Sequence, residues 1–186
     1  MSRVTLTFDN GPEPDVTPRV LDILAKHGVR STFFVLGRKF VEPGREDLAR
    51  RALDEGHWIG NHTWTHETPL GLNSDPLAAA MEIGATQNVI GGLAHDDRFF
   101  RPFGQGGNLD SRILSPAARD YLIAGGYTCV LWNSVPGDWK PGDGWFDQGL
   151  RDIAARDWTL TVLHDLPGAC LDRLDDFIAA VRDAGH

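Results

Sequence analysis

The stretch TLTFDNGP, residues 5–12, ends an alternating apolar run (Val4, Leu6, Phe8) on a carboxylate and an amide, Asp9 and Asn10, and then on Gly11-Pro12. Alternation suits a β-strand and Gly-Pro ends one, so the pair falls at a strand's carboxyl end. An Asx-type turn is one use for it there; chemistry is another. Four more polar groups fall in similar places: His62 and His66 in NHTWTH, Arg101 in FFRPFG, Asp138-Trp139 after VLWNSVPG, and His164-Asp165 closing TLTVLHD.

Histidines four apart on a helical turn can turn both imidazoles to one side and close on a single metal ion. Asn10 offers a hard oxygen at the same rim. Two nitrogens and an oxygen with open positions suit a catalytic zinc or a similar divalent ion. The inner residues Thr63, Trp64 and Thr65 separate this pair from the H-E-x-x-H protease arrangement. Asp138 and His164 make an acid pair, because a carboxylate stabilises the imidazolium and raises its pKa. Arg101, beside two phenylalanines, either caps the rim or holds Asp9 by a bidentate contact that orients it for proton abstraction. Each residue also has a plain structural use: a surface histidine pair, a satisfied core histidine, a turn aspartate. The tryptophans at 64, 132, 139 and 145 read as core or groove wall, and aromatic planes at a rim also suit sugar-like or planar substrates. Ser111, Ser115 and Ser134 lack a G-x-S-x-G setting, which argues against a serine hydrolase.

The elements that must position these groups alternate. Strand-like segments at 3–8, 31–37, 57–63, 98–103, 127–132 and 158–165 are separated by helix-like ones. The helices run from Thr17-Pro18 to Gly28, over 45–56, 75–93 and 115–126, near 146–156, and from about 171 to 184. Thr17-Pro18, Asp75-Pro76 and Ser115-Pro116 each put a capping oxygen before a proline whose missing N–H costs nothing in a first turn. Gly28, Gly56 and Gly125 mark stops. The alternation predicts an α/β fold with a mainly parallel sheet, either an open Rossmann-like sheet or a compact β/α barrel. No Gly-x-Gly-x-x-Gly follows the first strand, and 186 residues is short for a complete eightfold barrel. In either case the carboxyl ends of the strands line one face, and the five polar clusters converge there.

Composition narrows the function classes. The 186 residues suit one domain with a substantial core, and 41% hydrophobic with 24% charged content is ordinary for a globular protein. Net charge is −8, and the 18 basic residues are scattered, so no nucleic-acid footprint exists. No apolar run approaches the ~20 residues that span a bilayer, and MSRVTLTF carries no signal-peptide core. The expected location is the cytoplasm, with no membrane or protein partner implied. Cys129 and Cys170 lie in apolar settings and are expected as reduced, packed thiols rather than a disulfide.

Taken together, the clusters resemble the motifs of the polysaccharide deacetylases, the NodB-homology domain of carbohydrate esterase family four, over nearly the whole chain. TFDNGP is similar to that family's TFDDGP, HTWTH to H-[ST]-x-x-H, FRPFG to R-x-P-[FY], DW at 138–139 to the end of the fourth motif, and VLHD to L-x-H. The resemblance implies one NodB-like domain over 1–186. Its fold would be a distorted (β/α) barrel of about seven parallel strands. Its activity would be metal-dependent hydrolysis of an N-acetyl or O-acetyl group on an acetylated sugar or oligosaccharide. By the same resemblance Asp9 is the general base, and Asn10, His62 and His66 hold the divalent ion, expected to be zinc. Arg101 orients Asp9, and the backbone N–H near Phe103 helps hold the oxyanion. Asp138 tunes His164, the general acid, while Trp139 and Leu163 shape the acetyl pocket. Asn10 stands where the family usually has a metal-binding aspartate, Phe103 where tyrosine is commoner, and Asn133 where the fourth motif often begins with Asp. A related C–N hydrolase acting on a small amide or cyclic imide, without metal, is the alternative reading. A carbohydrate-binding descendant without turnover is a third, and the retained acid–base residues oppose it.

Overall fold

The first strand, β1 (Arg3–Asp9), sends Leu6 and Phe8 to one face and Thr7 and Asp9 to the other, as period-two alternation dictates. All four are buried, so β1 is covered on both sides, the usual state of a parallel strand. The computed structural model describes residues 3–186; Met1 and Ser2, which belong to the 1–186 assignment and to the N-terminal reading, lie outside the described residues. After β1 come α1 (Thr17–His27), β2 (Thr32–Val35), the single turn α2 (Gly37–Phe40), α3 (Arg45–Asp54) and β3 (Trp58–Asn61). A π-helical segment, Ala80–Gly84, leads into α4 (Ala85–Ile90), followed by β4 (Phe99–Phe100), α5 (Pro116–Ala124) and β5 (Thr128–Cys129). The chain ends with α6 (Gly144–Ala154), β6 (Trp158–His164) and α7 (Leu171–Asp183).

The six strands form one parallel sheet in the order β5-β4-β3-β2-β1-β6, curled into a half-barrel. Of about seven strands expected, the described residues form six. Between β5 and β6 the segment around Ser134 makes only one isolated parallel bridge, to Thr161. The Asn133 side chain accounts for this: it accepts from Leu160 N (2.8 Å) and donates to the Trp158 carbonyl (3.0 Å). Ladder positions on that edge of β6 are thus filled by a side chain. β4 and β5 are also shorter than the segments 98–103 and 127–132.

The larger core lies between the sheet and the helices, built from Leu6, Phe8, Leu21, Leu24, Leu174 and Phe177 among others. A second cluster around Ile83, Phe100 and Leu122 packs the far side. The cap readings divide. Ser115 accepts from Ala118 N (3.2 Å) as an N-cap, whereas Thr17 lies inside α1 and its hydroxyl bonds elsewhere. Gly28 ends α1 in the left-handed conformation (φ 60°), a C-cap that glycine adopts without a Cβ penalty. The thiols also divide: Cys170 is packed, as expected, but Cys129 is exposed because β5 is the sheet's edge strand.

Candidate active site

Parallel pairing sets the level of the site. Asp9 and His164 are register partners at the carboxyl ends of β1 and β6, so the carboxylate and the imidazole leave neighbouring strands at the same height. Asp9 also pairs with Phe34 of β2. His62 follows β3, its N–H donating to the Val35 carbonyl (3.0 Å), and Arg101 follows β4, its N–H donating to the Asn61 carbonyl (2.9 Å). Asp9, Asn10, His62, His66, Phe103 and His164 line one cavity of about 350 Å³, with Trp132 and Trp139 on its walls.

The carboxylate side is buried. Asp9 Oδ1 accepts from Arg101 Nη1 (2.8 Å), and Asp9 Oδ2 lies 3.4 Å from His62 Nε2. Burial alone would push the Asp9 carboxyl up, but Arg101, His62 and His164 carry it below the ordinary carboxylate value. The contact with Arg101 is single, not the bidentate fork expected. Arg101 Nη1 also donates to Thr7 Oγ1 (2.7 Å), Nε to the Val130 carbonyl (3.3 Å), and Nη2 has no partner among the described residues. The guanidinium lies over the Phe34 ring at 4.0 Å, and its bonds to Thr7 and Val130 fix its in-plane rotation so that only Nη1 meets the carboxylate.

The imidazole pair reaches one place by a route other than the expected helical turn. Residues 62–66 form an irregular loop in which Thr63 (φ 71°) and His66 (φ 57°) are left-handed. Glu82, on the π-helical segment, holds this loop: its carboxylate accepts from Trp64 N (2.9 Å), Thr65 N (2.9 Å) and Thr65 Oγ1 (2.9 Å). The two rings end with centroids 5.0 Å apart, and the Phe103 ring stacks on His66 at 3.9 Å. His62 Nδ1 faces the Arg101 carbonyl at 2.8 Å. A carbonyl only accepts, so Nδ1 carries the proton and Nε2 keeps its lone pair. Burial holds His62 below the usual imidazole value, and burial with His62 beside it takes His66 to about 3, so both rings are neutral at neutral pH.

Across the cavity, Asp138 grips His164 twice: Oδ1 faces Nδ1 (2.8 Å) and Oδ2 accepts from the His164 backbone N–H (2.8 Å). Burial lowers the His164 pKa, but the bond and charge of Asp138, with Asp9 and Asp165, raise it above the ordinary value. Trp139 stands edge-on to His164 at 4.8 Å and is 39% exposed. Leu163 is a correction: it faces the core with Leu6 and Phe8, because alternation puts Val162 and His164 on the cavity side. Val162 and Leu166 form the wall expected of it.

Asn10 has a left-handed backbone (φ 75°), which asparagine tolerates better than most residues. Its Oδ1 is buried with no hydrogen-bond partner among the described residues. Among those residues no group of three or more His, Cys, Asp or Glu could hold a metal ion. The unpartnered Asn10 oxygen, on a residue that lines the same cavity, offers a third donor beside the imidazoles. Two neutral imidazoles with that oxygen fit a divalent cation. Thr7 and Phe34 carry no local sign of a place at the site, whereas Trp132 stands on its wall as expected. The one signal for Glu82 was a lone carboxylate in the apolar run AAAMEIGA.

Among the described residues no helix is long and apolar enough to cross a membrane. Residues 1–117 match the polysaccharide deacetylase family model. The chain is 36% identical over 170 residues to a chitooligosaccharide deacetylase of Rhizobium leguminosarum bv. trifolii, covering 87% of this chain and 71% of that protein. It is 30% identical over 188 residues to a peptidoglycan-N-acetylglucosamine deacetylase of Listeria monocytogenes, covering 99% of this chain but 37% of that protein's length. A family 4 acetyl xylan esterase from Clostridium thermocellum, solved with a cobalt ion, superposes with a TM-score of 0.80 at 30% identity, over 99% of this chain and 85% of that one.

Proposed function

Because the chain belongs to the polysaccharide deacetylase family, we propose that it hydrolyses an acetyl group from an acetylated carbohydrate, with Asp9 as base and His164 as acid. One observation carries this reading: Asp9, beside Arg101, and His164, beside Asp138, leave paired strands in register and face one cavity. Two titratable groups are pushed apart by their surroundings, the carboxyl down and the imidazole up, which is the arrangement that separates a base from an acid.

His62, His66 and Asn10 would hold a divalent ion, zinc or a similar metal, which when bound supplies Lewis acidity to an acyl oxygen. Arg101 keeps Asp9 ionised, and Asp9 Oδ2, the oxygen that Arg101 does not bond, takes the proton of an attacking water. The Phe103 N–H offers a backbone donor to the developing oxyanion. His164, protonated and fixed through Nδ1 by Asp138, turns Nε2 to the leaving amine or alkoxide and gives it the proton. Trp139, Val162 and Leu166 bound the space for a small acyl group.

The test is acetate release from acetylated chitooligosaccharides, with cobalt or zinc added and then removed by chelator. Release that needs the metal and is lost in Asp9→Asn and His164→Ala is the expected result. No release from any acetylated sugar, with metal-independent turnover of a small amide or cyclic imide, would replace this reading with the alternative.

A further inference from the structure

Asp165 is a buried carboxyl that the mechanism above leaves unused. It follows His164 directly, is 1% exposed, and its Oδ1 has no hydrogen-bond partner among the described residues. Burial pushes it up to about 7. Its Oδ2 accepts from Thr17 Oγ1 at 2.5 Å, and the same hydroxyl accepts from Glu13 N at 2.7 Å. Thr17, inside α1, thus spends its hydroxyl on Asp165 and on Glu13 N rather than on the amides of the first turn. The carboxyl also lies flat against Gly11, where an added β-carbon would collide with both oxygens.

The segment between Asn10 and Glu13 is thus held from two directions. On one side Asn10 N donates to the Phe34 carbonyl (3.1 Å) and Leu36 N to the Gly11 carbonyl (3.1 Å). Arg45 donates to the Pro12 carbonyl, and Lys39 and Arg45 pair with the Glu13 carboxylate. On the other side, Asp165 meets it through Gly11 and, by way of Thr17, through Glu13 N. Every bond on the first side ties the loop to β2 or the segment after it. Asp165 ties it to the strand that carries His164.

We propose that Asp165 is a positioning residue: its carboxyl, bonded to Thr17 and packed on Gly11, fixes the Asn10–Glu13 loop against the end of β6 and so places the Asn10 amide oxygen relative to His164. The inference rests on the deacetylase reading only for its activity arm. A buried carboxyl with one unpartnered oxygen opposes folding, so its use lies in the direction of its contacts rather than in net stability.

The experiment compares Asp165→Asn, Asp165→Ala and Thr17→Val in the full chain by Co²⁺ affinity in chelator competition, kcat and KM for acetate release, and crystal structures. Asp165→Ala should weaken Co²⁺ binding roughly 10–100-fold, as loss of a ligand-orienting partner does, and lower kcat more than it changes KM. Thr17→Val should move both in the same direction. Asp165→Asn keeps an acceptor for Thr17 and should restore both to within about threefold of wild type. Wild-type Co²⁺ affinity and kcat in folded Asp165→Ala would overturn the proposal. If that variant does not fold, the same result in Thr17→Val would do so. If the wild-type chain released no acetate, the deacetylase reading would fail while Co²⁺ affinity still decided the role of Asp165. If it bound no Co²⁺, the structures decide: a loop displaced from β6 by about 1 Å or more, a shift large enough to matter for catalysis, supports the proposal. An undisplaced loop overturns it.

Discussion

Asn10 presents a neutral oxygen where a carboxylate would add charge, and the two choices differ in how they hold a cation. Ligand charge sets much of the affinity of oxygen-donor sites. Asn10→Asp should therefore tighten metal binding by about tenfold or more, read by chelator competition. Unchanged affinity would return Asn10 to a turn residue. His164 titrates on the other wall, and its sign is fixed by Asp138. The reacting form is the imidazolium, present below the raised His164 pKa, so His164 governs the alkaline limb of the pH–rate profile. Asp138→Asn removes the stabilising charge. It should move that limb to lower pH and cut the rate above neutrality by about 10²-fold, the low end of general-acid contributions. An unmoved limb would uncouple the two residues.

At the scale of elements, the loop between β3 and the π-helical segment decides where the imidazoles go. Its backbone is left-handed at Thr63 and His66, and a carboxylate from outside the loop takes up its free amides. The i, i+4 spacing predicted convergence by helical geometry; the loop achieves it through Glu82. Single-turn π insertions are frequent at functional sites, and here one carries the residue that orders the loop. Glu82→Ala leaves Trp64 N and Thr65 N without their acceptor. It should cost about 1–3 kcal/mol in unfolding free energy and weaken metal binding roughly tenfold or more, measured by denaturant titration and chelator competition. Loss of stability with metal affinity intact would show that the loop orders itself.

The whole molecule encloses a polar column inside its curled sheet: Thr7, Asp9, Arg101 and His62 are each at most 4% exposed, and apolar packing lies outside it. Asp165 lies outside that column, bonded to Thr17 of α1, and its titration reaches global stability. The unfolded chain ionises this group near 3.8, whereas the folded one holds its proton to about 7. The stabilisation is full below the lower value and is lost as pH rises to the upper one. At ~1.4 kcal/mol per pH decade, the ceiling is about 4 kcal/mol. Asp165→Asn cannot ionise there, so it should melt higher than wild type at pH 8, with the gap closing toward pH 4. A gap independent of pH would mean that Asp165 ionises in the fold at no cost.

By itself the sequence determined the order of strands and helices, the parallel sheet, and the family through its five motifs. Local period and strand-end position carry those signals, and no distant contact is needed to produce them. It also put Asp9, His62, Arg101 and His164 at or just past strand ends, with His66 and Asp138 on the loops that follow, because polar residues that follow an apolar run mark where a buried strand stops. What only the tertiary structure decided were the contacts between segments far apart in the chain. Bonds to Thr7 and Val130 leave Arg101 a single bond to Asp9. Alternation from a particular register sends Leu163 to the core and leaves the wall to Val162 and Leu166. The Asn133 side chain occupies the edge of β6, and Thr17, inside α1, accepts from Glu13 N and donates to Asp165, 148 positions away. No local window contains both partners of such a bond, so the roles of Glu82, Thr17 and Asp165 emerge only when the sheet has brought the strands together.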